Sequence, residues 1–405
     1  MPSVSRWITV SALLAAACGG PPAQQQALCS TSADCAPGNT CVGGGCIPNG
    51  GSGPAGPDGG LDAGSDAGPD GGLDAGLDAG LDAGPDGGSD AGIDGGSDAG
   101  APIPHVFVIA MENQDGTNFL GGGVYGNSRA PYINGTLMAQ YGSATAYADC
   151  LAAPVPSEPH YVWMEAGTNR FSDTTFTGDG DPSASNSTDD GDHVAAALKG
   201  AANGKTWRSY QEGLDGNTGG CPVHSDGLYA AKHDPFVFFQ DVSGSPPSGS
   251  NPDCAAHHRA FTTAGFQADL AANDVAAYTF ITPNLCNDMH GNSACTNGCT
   301  STIGLTGGAC IAGGDAWLQA NVPAIINFIE ANGGVLFVVW DEPAVNTTTP
   351  FLVIGPHVKA GYSSSLPYTH SSYVKSLYEI LGLPVSSRVT SANDFSDFFD
   401  SGYFP

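Results

Sequence analysis

Val106-Phe107-Val108-Ile109-Ala110-Met111 runs into Glu112-Asn113, and Val335-Leu336-Phe337-Val338-Val339-Trp340 runs into Asp341-Glu342. A run that is apolar on both faces belongs inside a sheet covered on both sides, most often a parallel one. In open α/β sheets, ligands bind beyond the carboxyl ends of such strands. The two tips therefore predict three carboxylates and an amide oxygen at one end of one sheet, a donor set suited to a hard cation. A cation in that place serves phosphoryl or acyl chemistry. Each tip also has a plainer use: Asn113 as the cap of a following helix, Asp341-Glu342-Pro343 as a helix start. Two acidic tips closing two fully apolar runs are harder to explain as caps.

The flanking pattern supports a layered fold. Strand-like runs occupy 105–111, 145–149, 205–211, 277–282, 335–340 and 351–354. Leu318, Val322, Ile325, Ile326 and Ile329 make one apolar helix face; Val374, Leu377, Tyr378 and Leu381 make another, stopped by Gly382 and Pro384. Strands alternating with helices predict an α/β fold with a mostly parallel central sheet flanked by helices on both faces. Residues 183–191 and 243–253, polar and Gly-rich, are expected to be surface loops.

The 405 residues are not of one kind. Residues 1–17 carry one basic residue, Arg6, then an apolar stretch and small residues, the pattern of a secretory signal. Leu14-Ala15-Ala16-Ala17-Cys18-Gly19 resembles a bacterial lipoprotein cleavage site. That resemblance implies a lipidated Cys18 and an exported protein anchored to the cell envelope or surface; the alternative is ordinary cleavage near Ala17. Residues 18–50 hold Cys29, Cys35, Cys41 and Cys46, which in an exported protein predict two disulfides of unspecified pairing. Zinc fits them poorly, because the segment has no histidine and no Cys-x2-Cys pair. From 57 to 100 a tetrad with one Asp repeats eleven times. It offers nothing to build a core, so 51–103 is expected to be a disordered spacer with an r.m.s. reach of roughly 35–40 Å. Its period of four differs from the nine of calcium β-rolls.

The remaining segment, 104–405, is long enough for one large α/β domain. Residues 101–405 contain all ten histidines and 10 Lys+Arg against 28 Asp+Glu, a net −18. So acidic a surface excludes nucleic acid as a partner, and any phosphate site must supply its positive charge locally. Seven cysteines lie here, enough for three disulfides with one thiol left over; Cys286, Cys295, Cys299 and Cys310 are expected to staple a loop.

Ser157 stands where a helix should begin, with Pro159 in its first turn and Gly167 at its end. It is either an N-cap or a nucleophile. A helix N-terminus suits an alkoxide or a phosphate, but a serine needs a base or a metal to activate it. His290, in a loop after a strand, His370, opening the last helix, and His233, after Lys232, are candidates for phosphoryl contacts or proton transfer. A histidine-based zinc site is the rival reading, without His-x3-His spacing to support it. His257-His258-Arg259 is expected at the surface.

Glu112-Asn113, Pro156-Ser157-x-Pro159-x-Tyr161, Lys232-His233-x-Pro235-Phe236, Thr282-Pro283-Asn284 with Asp288-x-His290, Trp340-Asp341-Glu342, and Gly355-Pro356 followed by His370-Ser371 occur in that order. Together they resemble the phosphoesterase family of secreted acid phosphatases and bacterial phospholipases C, over nearly all of 104–385. The Pro-Ser-Glu-Pro variant and compact length look closer to the acid phosphatases. The resemblance implies an alkaline-phosphatase-like fold with Ser157 as nucleophile and Glu112, Asn113, Asp341 and Glu342 as ligands of one divalent metal ion. It implies His290 and His370 as active-site histidines, with Lys232 and His233 near the phosphate. The family often has Asn where this chain has His160; a His160 touching phosphate would give its own pH dependence or substrate range.

The expected activity is metal-assisted hydrolysis of a small phosphate monoester through a phosphoserine. All-oxygen ligands favour calcium, magnesium or manganese over zinc, and the membrane is touched only through the lipid anchor. The rivals are a phospholipase C-like phosphodiesterase and a non-catalytic cell-surface binding lipoprotein.

Overall fold

A computed structural model describes residues 39–42, 45–48, 103–117, 123–151, 155–214, 220–300, 308–344 and 348–405. The signal sequence, Cys18, Cys29, Cys35 and the tetrad repeat lie outside them. In the unit spanning Gln24–Ser97, strands β1 (Asn39–Val42) and β2 (Gly45–Pro48) form an antiparallel hairpin whose register sets Cys41 opposite Cys46.

The larger unit is built on β3 (Val106–Met111), β4 (Gly142–Ala144), β5 (Trp207–Glu212), β6 (His258–Phe261), β7 (Tyr278–Thr282), β8 (Val335–Trp340), β9 (Phe351–Ile354) and β10 (Ser363–Ser364). They form one sheet in the order β10-β4-β9-β8-β3-β7-β5-β6. β9 is antiparallel to both its neighbours, and every other pairing is parallel. This is the expected α/β architecture, with the two apolar runs adjacent at its centre and in register from Val106 opposite Val335 to Met111 opposite Trp340.

Every residue of β3 and β8 is buried, because each face meets its own apolar layer. Val106, Val108, Ala110, Val335, Phe337 and Val339 face the layer of helices Ser157–Ala166 and His370–Leu381; Phe107, Ile109, Met111, Leu336, Val338 and Trp340 face that of Gly308–Asn332 and Thr263–Ala271. Each fully buried Val, Leu, Ile or Phe contributes about 1.5–3 kcal/mol. Gly167 (φ 69°) and Gly382 (φ 68°) end their helices in the left-handed conformation that favours glycine.

Three expectations need correction. Residues 145–149 do not form a strand: Tyr147 and Ala148 make isolated bridges, and pairing falls instead on Gly142–Ala144. A Cβ at Gly142 would stand 2.5 Å from the Phe398 ring, so tertiary packing selects a stretch of weak β propensity. His258 is not at the surface but in β6, its buried ring 3.0 Å from Asp234 and edge-on to Trp207. Nor is a thiol left over. Besides Cys221–Cys254, Cys286–Cys295 and Cys299–Cys310, Cys150 is disulfide-bonded too. The last two of those three pairs are the expected loop staples.

Candidate active site

The parallel register carries past the ends of β3 and β8. Asp341 N–H donates to the Met111 carbonyl (3.1 Å), and Asn113 N–H donates to Asp341 Oδ1 (2.9 Å). Asn113 turns the chain with a φ of 51°, and its Nδ2 donates to Glu112 Oε2 at 2.6 Å. On the other side of β3, the loop after β7 docks through Glu112 N–H, which donates to the Asp288 carbonyl at 2.8 Å. Between Asp288 and His290, Met289 holds a φ of 83°, a strain of about 1–3 kcal/mol for such a side chain.

Ser157 is the first helical residue; Pro156 occupies the cap position without a side-chain bond. The N-cap alternative therefore falls away. The buried Ser157 hydroxyl lies 3.1 Å from Glu112 Oε2 and 3.3 Å from Glu342 Oε1, with one proton to share between them. Asp179 braces the same turn: Oδ1 accepts Glu158 N–H at 3.1 Å, and Oδ2 accepts Lys232 Nζ at 2.5 Å. Glu158 in turn accepts Gly180 N–H at 2.7 Å and Asn186 Nδ2 at 3.1 Å.

His233 is buried between two carboxylates, Nε2 3.2 Å from Glu112 Oε1 and Nδ1 3.5 Å from Asp288 Oδ2. The His290 ring centre is 5.6 Å from that of His233, and its Nδ1 lies 2.8 Å from the Gly291 carbonyl. The other two histidines face the scaffold. His370 sets Nε2 2.5 Å from the Asp341 carbonyl and Nδ1 2.8 Å from Tyr147 Oη. His160 sets Nδ1 2.9 Å from the Pro156 carbonyl and Nε2 3.0 Å from Asp149 Oδ2. All ten residues singled out from sequence thus lie in or directly behind one site. Asp149, Asp179, Glu158 and Asp288 join them. Asp288 stands in the motif ending at His290, but Asp149 and Asp179 sit in stretches without a pattern that marks them.

Burial dominates the electrostatics. It raises the Glu112 carboxyl to about 7 against the pull of Lys232, and the Glu342 carboxyl to about 8 with help from Asp341. Asp341 and Asp288 are pushed well above the carboxylate range, by burial first and the Glu112 charge second. Burial lowers His370 to about 4 and, with Lys232 and His290 adding to it, drives His233 well below the usual histidine range. For His160, burial again opposes the cation. The Asp149 hydrogen bond and charge, followed by Asp341 and Glu342, outweigh it and raise the ring to about 9.

Four carboxyls displaced upward together mark a cluster whose ionised form Lys232 and His160 do not fully balance, and a divalent cation would favour that form. Glu112 Oε1, Asp288 Oδ2, Asp341 Oδ2 and His233 Nε2 are buried without a hydrogen-bond partner, where buried polar atoms are almost always paired. These residues fit a metal ion. Glu112, Asp341, Glu342, Asn113 and Ser157 offer oxygen; among the described residues, Glu112, His233 and His290 bring their donor atoms within 4.8 Å of one another.

A buried serine facing carboxylates at the carboxyl ends of central parallel strands fits a hydrolase of the α/β class. The phosphoesterase family model matches residues 124–303. The phosphatidylinositol-3-phosphatase of Mycobacterium tuberculosis is 30% identical over 298 residues, 73% of this chain and 82% of that protein. The chain belongs to the phosphoesterase family and is a hydrolase acting on phosphoric ester bonds. Two solved structures are also similar. The phosphonate monoester hydrolase from Silicibacter pomeroyi is 9% identical with a TM-score of 0.45, covering 73% of this chain and 76% of that one. That of Agrobacterium radiobacter is 11% identical with a TM-score of 0.44, covering 73% and 77%.

Proposed function

We propose that the protein hydrolyses phosphate monoesters through a phosphorylated Ser157, aided by a divalent cation held by Glu112, Asn113, Asp341 and Glu342. One observation carries this reading: the buried Ser157 hydroxyl, 3.1 Å from Glu112 Oε2 and 3.3 Å from Glu342 Oε1, at the start of a helix whose dipole favours anions. Ser157 Oγ attacks phosphorus in line, and the Oγ–P bond forms as the bond to the leaving alcohol breaks. The serine proton passes to the Glu112 or Glu342 carboxylate, and that carboxyl group then gives it to the leaving alcohol. Water then cleaves the phosphoserine, giving inorganic phosphate and free Ser157. Lys232 neutralises charge on the phosphoryl oxygens, in a reaction where positioning and electrostatics supply most of the catalysis.

A divalent cation held there would lower the serine pKa and screen the phosphate, and oxygen ligands favour calcium, magnesium or manganese over zinc. His370 and His160 act as positioning residues, because each spends both ring nitrogens on the protein. The name of the Mycobacterium tuberculosis relative supports a monoester on a lipid headgroup as the substrate class. An exported protein, anchored through Cys18 and held off the membrane by residues 51–103, would meet such a substrate.

Ser157→Ala tests the reading. Turnover of p-nitrophenyl phosphate should fall by roughly 10⁴-fold or more, with an unchanged circular dichroism spectrum and no trapped phosphoenzyme. Wild-type activity in that variant ends the assignment. Faster turnover of p-nitrophenyl phosphocholine than of p-nitrophenyl phosphate would favour the diesterase instead.

A further inference from the structure

The helix that opens at Ser157 has few groups with which to hold an anion. Pro156 and Pro159 bring no N–H to its first turn, so the outward-pointing donors come from Ser157 and Glu158. The ammonium beside them is Lys232, close enough to Glu112 and Asp341 for their charges to act on it. Asp179 takes one group of each kind: Oδ1 accepts the Glu158 N–H at 3.1 Å, and Oδ2 accepts Lys232 Nζ at 2.5 Å. A phosphoryl group on Ser157 calls for the same partners, since helix N–H donors and a local cation are what hold phosphate oxygens. The Asp179 carboxylate therefore stands on donors that suit phosphate.

Asp179 is also placed to leave. Its side chain is 33% exposed against 19% for that of Lys232. It lies between Gly178 and Gly180, outside helices and strands, and a Cβ at Gly178 would meet nothing within 4 Å. The flanks are held by other bonds. Phe176 N–H donates to the Asn169 carbonyl at 2.9 Å, Gly180 N–H to Glu158 Oε2 at 2.7 Å, and Ser225 Oγ to Asp181 Oδ1 at 2.6 Å. The Asp179 side chain can turn to water while the stretch around it stays docked.

We propose that Asp179 is a built-in competitor of the substrate's phosphoryl group: its carboxylate holds Lys232 and the Glu158 N–H until phosphate displaces it, and returns as phosphate leaves. The proposal rests on the Ser157 phosphatase reading above and adds the residue that sets the affinity for phosphate. Exchanging one anion for another on the same donors weakens binding and favours product release.

The test is the sign of the change in phosphate affinity. Inorganic phosphate is titrated calorimetrically into the full chain, wild type and Asp179→Asn, with circular dichroism and the urea midpoint as checks on folding. Asp179→Asn should bind phosphate about tenfold or more tightly, as expected when a charged hydrogen-bonding competitor is removed. KM for p-nitrophenyl phosphate should fall by a similar factor without a rise in kcat. Asp179→Ala, which leaves no side-chain acceptor, should change in the same direction. A residue that only braces Lys232 and the helix start gives the opposite sign. Equal or weaker phosphate binding in both variants, in a protein whose wild type turns over through Ser157, overturns the competitor and leaves the phosphatase reading standing. Tighter phosphate binding in both variants of a protein that hydrolyses no phosphate ester supports the competitor and removes the phosphatase reading.

Discussion

Gly314 lies in the long helix Gly308–Asn332 where that helix presses against the back of the site. A Cβ there would stand 2.5 Å from Met289 Cγ, 2.6 Å from Met289 Cε and 2.9 Å from Met111 Cε. Both methionines are fully buried, and both adjoin site residues: Met111 precedes Glu112, and Met289 separates Asp288 from His290. Gly314→Ala therefore sets two effects against each other. Helix propensity alone would stabilise by about 0.8–1.0 kcal/mol. Overpacking a filled core costs typically about 1–3 kcal/mol. Met289 has little room to yield, since its φ is 83° and its carbonyl accepts a bond from Gln114 at 3.3 Å. Overpacking should win, for a net loss of about 0–2 kcal/mol in urea unfolding. The larger effect should be on turnover. The Asp288 carbonyl holds Glu112 N–H at 2.8 Å, so a shifted Met289 moves Glu112, Asp288 and His290 together. Misplacement on the scale of tenths of an ångström to an ångström should lower kcat/KM on p-nitrophenyl phosphate roughly ten- to a hundredfold. A variant stabilised by about 1 kcal/mol with wild-type kcat/KM would refute the argument, showing that the methionines repack freely and that the helix does not register the loop.

His193 is buried between Glu165 at 3.2 Å and Asp241 at 3.0 Å. Burial alone would lower its pKa, but the bonds to Asp241 and Glu165 raise it to about 9. A folded value above the unfolded one, about 6.5, gives stability that is complete below pH 6.5 and lost as pH rises through 9. The urea midpoint should accordingly fall across that window, and His193→Gln should flatten the fall; an equally steep fall in the variant would assign it to another group. Cys221 and Cys254 are 33 positions apart, so replacing both with Ser should cost about 3–4 kcal/mol by loop-closure entropy. An unchanged urea midpoint would show that the unfolded chain is held compact by other means.

Much of the site could be read in advance because of where strands end. Runs apolar on both faces mark central strands, and Glu112-Asn113 and Asp341-Glu342 follow them directly, so their proximity follows once the runs pair in parallel. Ser157 was legible as a helix start, but whether it caps that helix was not. Pro156 takes the cap position, and Glu342, 185 positions away, reaches the Ser157 hydroxyl. His258 was misread because a histidine pair beside an arginine looks like surface. Trp207, Phe236 and Asp234, from other elements, bury it. Asp149 and Asp179 carry no local pattern, and they matter only because His160 and Lys232 arrive beside them.

The sequence by itself determined the layered sheet, the two acidic strand ends, the helix starts and stops, and that Cys286, Cys295, Cys299 and Cys310 staple one loop, though not which pairs with which. These depend on periodicity and short-range geometry, which operate within a few residues. Only the tertiary structure decided which oxygen of Glu112 faces Ser157 and which faces His233, that His160 and His370 spend their nitrogens on the scaffold, and that several buried carboxyls collect beside Lys232. Those outcomes depend on sheet register, helix placement and exclusion of water, which bring distant residues together and are not encoded in the neighbourhood of any one of them.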